Sequence, residues 1–122
     1  SKIILFFYPR ANTPGCTAQA CNLRDNYQKL IEKGYTVFGV SADNVSQQNR
    51  FSEKYSFQYL LIADNEKDLI NAFGVWGPKK FQGREYEGIH RTTFLIDENG
   101  VIANVIKKVK TKDHATQILE EA

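Results

Sequence analysis

Two cysteines, Cys16 and Cys21, are the side chains in this 122-residue sequence best suited to covalent chemistry. They lie in Tyr8-Pro-Arg-Ala-Asn-Thr-Pro-Gly-Cys-Thr-Ala-Gln-Ala-Cys21, between a strand-like run and a helical one. Thr13-Pro14 has the form of a helix start, a hydroxyl N-cap with proline at the first helical position. Cys16 then falls in the first turn, where unpaired N–H groups and the positive end of the helix dipole favour an anion. For cysteine that anion is the thiolate, the nucleophilic form. Gly15 removes side-chain bulk beside the sulfur, so a small substrate can approach. A lone cysteine is more often a buried structural thiol. A place at a helix N-terminus directly after a strand argues for the nucleophile.

Cys21 follows five residues later on the same expected helix. Ideal helix geometry separates the two Cα atoms by roughly 8.6 Å, with the side chains ~140° apart around the axis. A disulfide needs Cα atoms within about 7 Å. Either Cys21 is a core residue that never pairs, or pairing requires the first turns to unwind. The spacing is not that of a thioredoxin-type C-x-x-C dithiol.

Other constellations are weaker. Cys16, Cys21, His90 and His114 are the only Cys and His residues, and their spacing fits no zinc template. There is no phosphate loop, G-x-G-x-x-G or G-x-S-x-G, so no metal or organic cofactor is expected. Arg91 opens the run Arg-Thr-Thr-Phe-Leu-Ile-Asp97. Alone it reads as a solvated strand-end cation. If that strand end borders the Cys16 turn, its guanidinium would favour a thiolate and hold an oxygen substrate by charge-assisted hydrogen bonds. His90 reads as structural and Trp76 as a packing or docking aromatic.

The elements that must position these residues follow from the hydrophobic pattern. Lys2 to Tyr8 is continuously apolar and β-branched or aromatic, the mark of a strand buried on both faces. A helix is expected over Thr17 to Lys33, ended at Gly34. A second strand covers Tyr35 to Ser41, a polar helix Asn44 to Tyr55, a third strand Tyr59 to Ile62, and a short helix Glu66 to Phe73. Val75 to Gly88 reads as a long irregular loop. Two strands, Ile89 to Ile96 and Val101 to Val109, flank the hairpin turn Asp97-Glu-Asn-Gly100. Asp113 is expected to cap a last helix running to Glu121. The order β-α-β-α-β-α-β-β-α predicts an α/β sandwich around a mixed sheet.

Composition narrows the class. With 42% hydrophobic and 25% charged residues the chain is ordinary for one globular domain. A net charge of +2 makes no electrostatic case for nucleic acid or an anionic membrane surface. No apolar run approaches the ~20 residues of a membrane-spanning helix. The chain enters its first strand directly after Ser1, without a methionine, so a preceding segment is expected.

Pro9, Thr13 and Cys16 meet the peroxiredoxin pattern P-x-x-x-T-x-x-C. The longer form Y-P-x-x-x-T-P-G-C-T-x-x-x-C-x-x-R-D resembles the peroxiredoxin Q, or bacterioferritin comigratory protein, subfamily. Phe73-Gly-Val-Trp-Gly77 and Gly88-Ile-His-Arg-Thr-Thr-Phe-Leu-Ile-Asp97 resemble it too. Gln19 departs from the glutamate often found at its position. The resemblance implies a single thioredoxin-like domain over residues 1–122, lacking the family's N-terminal hairpin. It implies a thiol peroxidase acting on hydrogen peroxide and alkyl hydroperoxides, needing no cofactor. Cys16 would be the peroxidatic cysteine and Cys21 the resolving one. Thr13 would bond the peroxide, Pro9 would shield the sulfur, and Arg91 would polarise the thiolate and the breaking bond. Thioredoxin would reduce the resulting disulfide, in a cytoplasmic monomer. The competing expectation is a redox-sensing thiol module without turnover.

Overall fold

The apolar run after Ser1 becomes the centre of a mixed sheet. The computed structural model describes residues 1–121. Strand β1 (Lys2–Phe7) pairs in parallel with β2 (Tyr35–Ser41), and β2 in parallel with β3 (Leu60–Ala63). On its other side β1 pairs antiparallel with β6 (Thr92–Ile96), which pairs antiparallel with β7 (Ile102–Ile106). The sheet order is β3-β2-β1-β6-β7.

Because successive strand residues point to opposite faces, β1 feeds two cores. Ile4, Phe6 and Tyr8 pack on one face with helices α1 (Pro14–Asp25), α2 (Tyr27–Glu32), α3 (Val45–Tyr55) and α5 (His114–Glu121). Leu5 and Phe7 pack on the other with Ile70 of α4 (Asp68–Ala72) and with Val75, Ile89 and Phe94. The double burial inferred from the unbroken apolar pattern is therefore present.

Three expectations are corrected. The helical stretch expected over Thr17 to Lys33 does begin at the Thr13-Pro14 start signal but does not run unbroken: it is interrupted at Asn26 (φ −111°, ψ 16°), leaving α1 and α2. The Asn26 side chain donates to the Asn22 carbonyl at 2.9 Å, the local competition for backbone acceptors that makes asparagine a poor helix interior. The segment Val75 to Gly88 is not a loop. It forms a two-stranded ribbon of β4 (Trp76–Phe81) and β5 (Arg84–Ile89). A two-residue turn joins them, with Gln82 at φ 52° and Gly83 at φ 78°. Most of the ribbon is exposed, so it carries no apolar alternation to reveal it. Pro78 is tolerated because each strand pairs on one side only. Finally, the strand expected over Ile89 to Ile96 is interrupted at His90 and Arg91, between β5 and β6.

Other signals hold. Asn44 and Gln47 form a reciprocal capping box at the start of α3. Gly34 takes φ 87° after α2, and Gly100 takes φ 79° in the β6–β7 turn. Both are conformations that favour glycine.

His114 opens α5 and is fully buried. Its Nε2 lies 2.7 Å from Thr93 Oγ1 and its Nδ1 2.9 Å from Gln117 Oε1. Burial, the largest cause, pushes the imidazole below its ordinary value, and the charge of Arg91 acts in the same direction. The folded protein therefore resists a proton that the unfolded chain accepts below about pH 6.5. This contribution to stability is complete above that pH and is lost as acid is added. Thermal unfolding should show Tm falling as the pH is lowered below about 6.5, and His114→Asn should flatten that slope.

Candidate active site

The site is built where two chain segments leave the same end of the sheet. The chain runs out of β1 through Tyr8, whose N–H still bonds the Val40 carbonyl at 3.0 Å. Pro9 ends the ladder. The following loop is tied down where the Ala11 N–H donates to Asp43 Oδ2 at 2.7 Å. Thr13 then takes the extended N-cap conformation (φ −95°, ψ 158°), and the Thr17 N–H reaches its carbonyl at 2.8 Å.

The cap position is as expected, but its chemistry is not. The Thr13 hydroxyl makes no bond to the helix N–H groups and donates instead to the Arg10 carbonyl at 2.8 Å. Thr13 thus fastens the loop entering α1, while the N–H groups of the first turn keep no side-chain cap. Cys16 sits in that turn with 2% of its surface exposed. Its sulfur faces charge: Arg91 Nη2 donates to Sγ at 3.4 Å. The other arm, Nη1, donates to Gln19 Oε1 at 2.7 Å. Gln19 is itself fully buried, one turn after Cys16, and its Nε2 has no hydrogen-bond partner among the described residues.

Arg91 precedes the first residue of β6, and the β1–β6 pairing matches Phe7 with Thr92. That register brings the guanidinium to the end of β1 from which the Cys16 loop departs. The condition attached to Arg91 in the sequence, proximity to the Cys16 turn, is met. Gly15 serves this contact: a Cβ there would lie 3.2 Å from Arg91 Nη2. Its smallness makes room for the guanidinium.

Sequence reasoning missed Lys79. The β4–β5 ribbon carries it beside Arg91, with Nζ donating to the Ile89 carbonyl at 2.8 Å. Burial and then the charge of Arg91 push its ammonium below the ordinary value, while Cys16 acts to raise it. The signal available was the Gln82-Gly83 turn between two six-residue strands. Pro9 is half-buried at the loop entrance. His90 is exposed, and Trp76 packs under Lys67, whose Nζ is 4.8 Å from the indole ring.

Cys21 lies on the same helix as Cys16, and both are free thiols. Cys21 is half-buried, and burial pushes its thiol above the ordinary value, opposed by Arg24. Arg91 also lines a cleft of about 620 Å³, together with Phe73, Val75, Thr92, Phe94 and Val105. Among the described residues no helix is long and apolar enough to cross a membrane.

Residues 1–105 match the AhpC/TSA family. The chain belongs to that family. Peroxiredoxin Bcp of Escherichia coli is 44% identical over 118 residues, covering 97% of this chain and 76% of the relative. Peroxiredoxin Bcp of Bacillus subtilis is also 44% identical over 118 residues, covering 97% and 75%. Among solved structures, the bacterioferritin comigratory protein of Xanthomonas campestris superposes with TM-score 0.91 at 31% identity, covering 98% of this chain and 75% of that one. A Xylella fastidiosa PrxQ variant gives TM-score 0.92 at 31% identity, covering 99% and 75%. This peroxiredoxin is thus of the Bcp/PrxQ type, a thiol peroxidase with the thioredoxin-like fold that the motifs implied.

The Gly15 contact yields a test. Gly15→Ala introduces a methyl group where Arg91 Nη2 must stay, and the guanidinium has to shift by a few tenths of an ångström. Reaction with peroxide should slow on the order of tenfold, a fraction of the ~10²–10³ that follows complete loss of a charge-stabilising donor. Thermal stability should not fall, since alanine is the better helix former by up to ~1 kcal/mol. Stopped-flow kinetics beside a thermal melt separates the two effects.

Proposed function

We propose that this peroxiredoxin reduces hydrogen peroxide and alkyl hydroperoxides at Cys16 and is recycled through a Cys16–Cys21 disulfide by thioredoxin. The observation that carries the reading is the buried Cys16 sulfur in the first turn of α1, 3.4 Å from the Arg91 guanidinium. A thiolate at that point attacks the terminal oxygen of the hydroperoxide. The S–O bond forms, the O–O bond breaks, and the departing alkoxide or hydroxide takes a proton from solvent and leaves as alcohol or water. Negative charge moves from sulfur to the leaving oxygen during the step, and Arg91 stands where it can follow that charge. Thr13 still has acceptor lone pairs for the O–H of a hydroperoxide, although its own proton goes to Arg10. Pro9 limits water at the loop entrance. The Xanthomonas campestris relative is described by its alkyl peroxide reduction activity, which supports the same substrate class here.

The product is a sulfenic acid at Cys16, open to a second thiol or to further peroxide. Cys21 is the second thiol of the chain. An intact α1 keeps the two Cα atoms roughly 8.6 Å apart, beyond disulfide reach. The first turns must therefore open in each cycle, which also presents the disulfide to a reductant. Reduction by thioredoxin assigns the protein to a thiol-reducing compartment such as the cytoplasm. All the reacting groups come from one chain, so a monomer suffices.

Two experiments test the assignment. Cys16→Ser should abolish peroxide consumption coupled to thioredoxin and its reductase, because serine is not ionised near neutral pH. Cys21→Ser should react once and then accumulate sulfinic acid at position 16, read by intact mass. Full multiple turnover by Cys21→Ser would remove Cys21 from the cycle. Separately, Arg91→Met should lower the second-order rate constant with peroxide by ~10²–10³. An unchanged rate constant would leave Arg91 a structural contact.

A further inference from the structure

We infer that Asn22 is a positioning residue for the resolving thiol, holding the Cys21 half of α1 to the chain entering α5 so that the Cys16 half does the moving. The inference rests on Cys21 resolving the sulfenic acid, as proposed above. The Asn22 amide bonds in two directions. Its Nδ2 donates to the Lys112 carbonyl at 3.0 Å, and its Oδ1 accepts from the Ala115 N–H at 2.8 Å. Ala115 is in the first turn of α5, where backbone N–H groups lack helical acceptors, so the side chain of one helix caps another.

Further ties fall in the same half. Tyr59 Oη donates to the Ala20 carbonyl at 2.6 Å. Arg24 Nη1 donates to the Tyr55 carbonyl at 2.9 Å, and Gln58 Nε2 donates to the Arg24 carbonyl at 3.1 Å. Ahead of Ala20, the side-chain bonds from α1 to the rest of the described residues are those of one guanidinium, from Arg91 to Cys16 and Gln19. The two halves of one helix are thus fastened very unequally.

Resolution needs no outside reactant. The Cys21 sulfur attacks the Cys16 sulfenic sulfur, the S–S bond forms and the S–O bond breaks. Hydroxide leaves and takes the proton of the Cys21 thiol as water. The sulfenic sulfur is reduced and the Cys21 sulfur oxidised. The step requires approach across the gap that the intact helix imposes. Opening residues 13–19 frees Cys16 to travel, while Asn22 keeps its neighbour Cys21 in one place. A target held still raises the effective concentration of one thiol at the other.

The opening has a defined footprint. Helical N–H groups bond four residues back, so loss of 13–19 strips acceptors from the amides of Thr17 to Leu23. The amides of Arg24, Asp25 and Asn26 keep theirs, as does Ala115. Hydrogen exchange by NMR on the whole chain, reduced against disulfide, should show faster exchange from Thr17 to Leu23 and unchanged protection at Ala115. In acid-quenched single turnovers read by mass, Asn22→Ala should slow conversion of sulfenic acid to disulfide on the order of fivefold, with more sulfinic acid at Cys16. Asn22→Asp retains an acceptor for the Ala115 N–H and should restore part of that rate. Faster exchange at Ala115 on oxidation, or a disulfide formed by Asn22→Ala as quickly as by the natural chain, overturns the inference while leaving the resolving role of Cys21 intact. Peroxide turnover without any Cys16–Cys21 bridge in the natural chain overturns both.

Discussion

The register of β1 against β6 is the constraint on which the site depends. Phe7 faces Thr92, and this pairing sets Arg91 one residue beyond the ladder, beside the loop that carries Cys16. Nothing local to either segment brings thiol and guanidinium together, since they are 75 residues apart. The register is held by packing. Leu95 belongs to the core with Ile4 and Phe6, and Phe94 to the opposite core with Leu5 and Phe7. A slip of one residue would exchange those faces and strand apolar side chains on the wrong side. Thr93 adds a polar lock through its bond to His114. The geometry of the chemistry is thus a by-product of filling two hydrophobic cores.

The site then uses charge in a particular way. Arg91 makes its side-chain contacts with a sulfur and a neutral amide. Gln19 fixes the direction of the guanidinium without neutralising it, which a carboxylate at this position would do. Lys79 contributes a second cation from the β4–β5 ribbon. A partly buried pair of cations is costly without an anion nearby, because neither is fully solvated. The Cys16 sulfur is the group these cations face, with Arg91 Nη2 at 3.4 Å and Cys16 acting on the Lys79 ammonium.

Much of this was legible beforehand, for physical reasons. β1 was readable because burial on both faces leaves an unbroken apolar run. The start of α1 was readable because Thr13-Pro14 is a local backbone signal, although the hydroxyl turned out to serve Arg10. The peroxiredoxin pattern carried Pro9, Thr13, Cys16 and Arg91 into one candidate site, and the fold does bring Arg91 to Cys16. The β4–β5 ribbon was not readable from hydrophobicity, since it is mostly exposed and includes Pro78. With it went Lys79, whose nearness to Arg91 depends on that pairing. Asn22 was equally silent, because its partners Lys112 and Ala115 are 90 and 93 residues away.

In the proposed cycle α1 opens and exposes whatever its first turns bury, and its composition makes that exposure small. Its buried residues are Cys16, Gln19, Ala20 and Leu23. Of these, the segment ahead of Ala20 contributes one thiol and one amide, neither of which gains the ~1.5–3 kcal/mol that a buried leucine or valine does. Pro14 lacks an N–H and Gly15 is a poor helix former, so few strong backbone preferences resist unwinding. The apolar weight lies further along, in Ala20 and Leu23, both inaccessible to solvent and both in the half fastened by Tyr59, Asn22 and Arg24. Opening can therefore stop near Ala20, with Cys16 the one residue of α1 drawn out of the core on that face of the sheet. On the proposed mechanism, Cys21 just inside the fastened half puts the second thiol at the boundary between what moves and what stays.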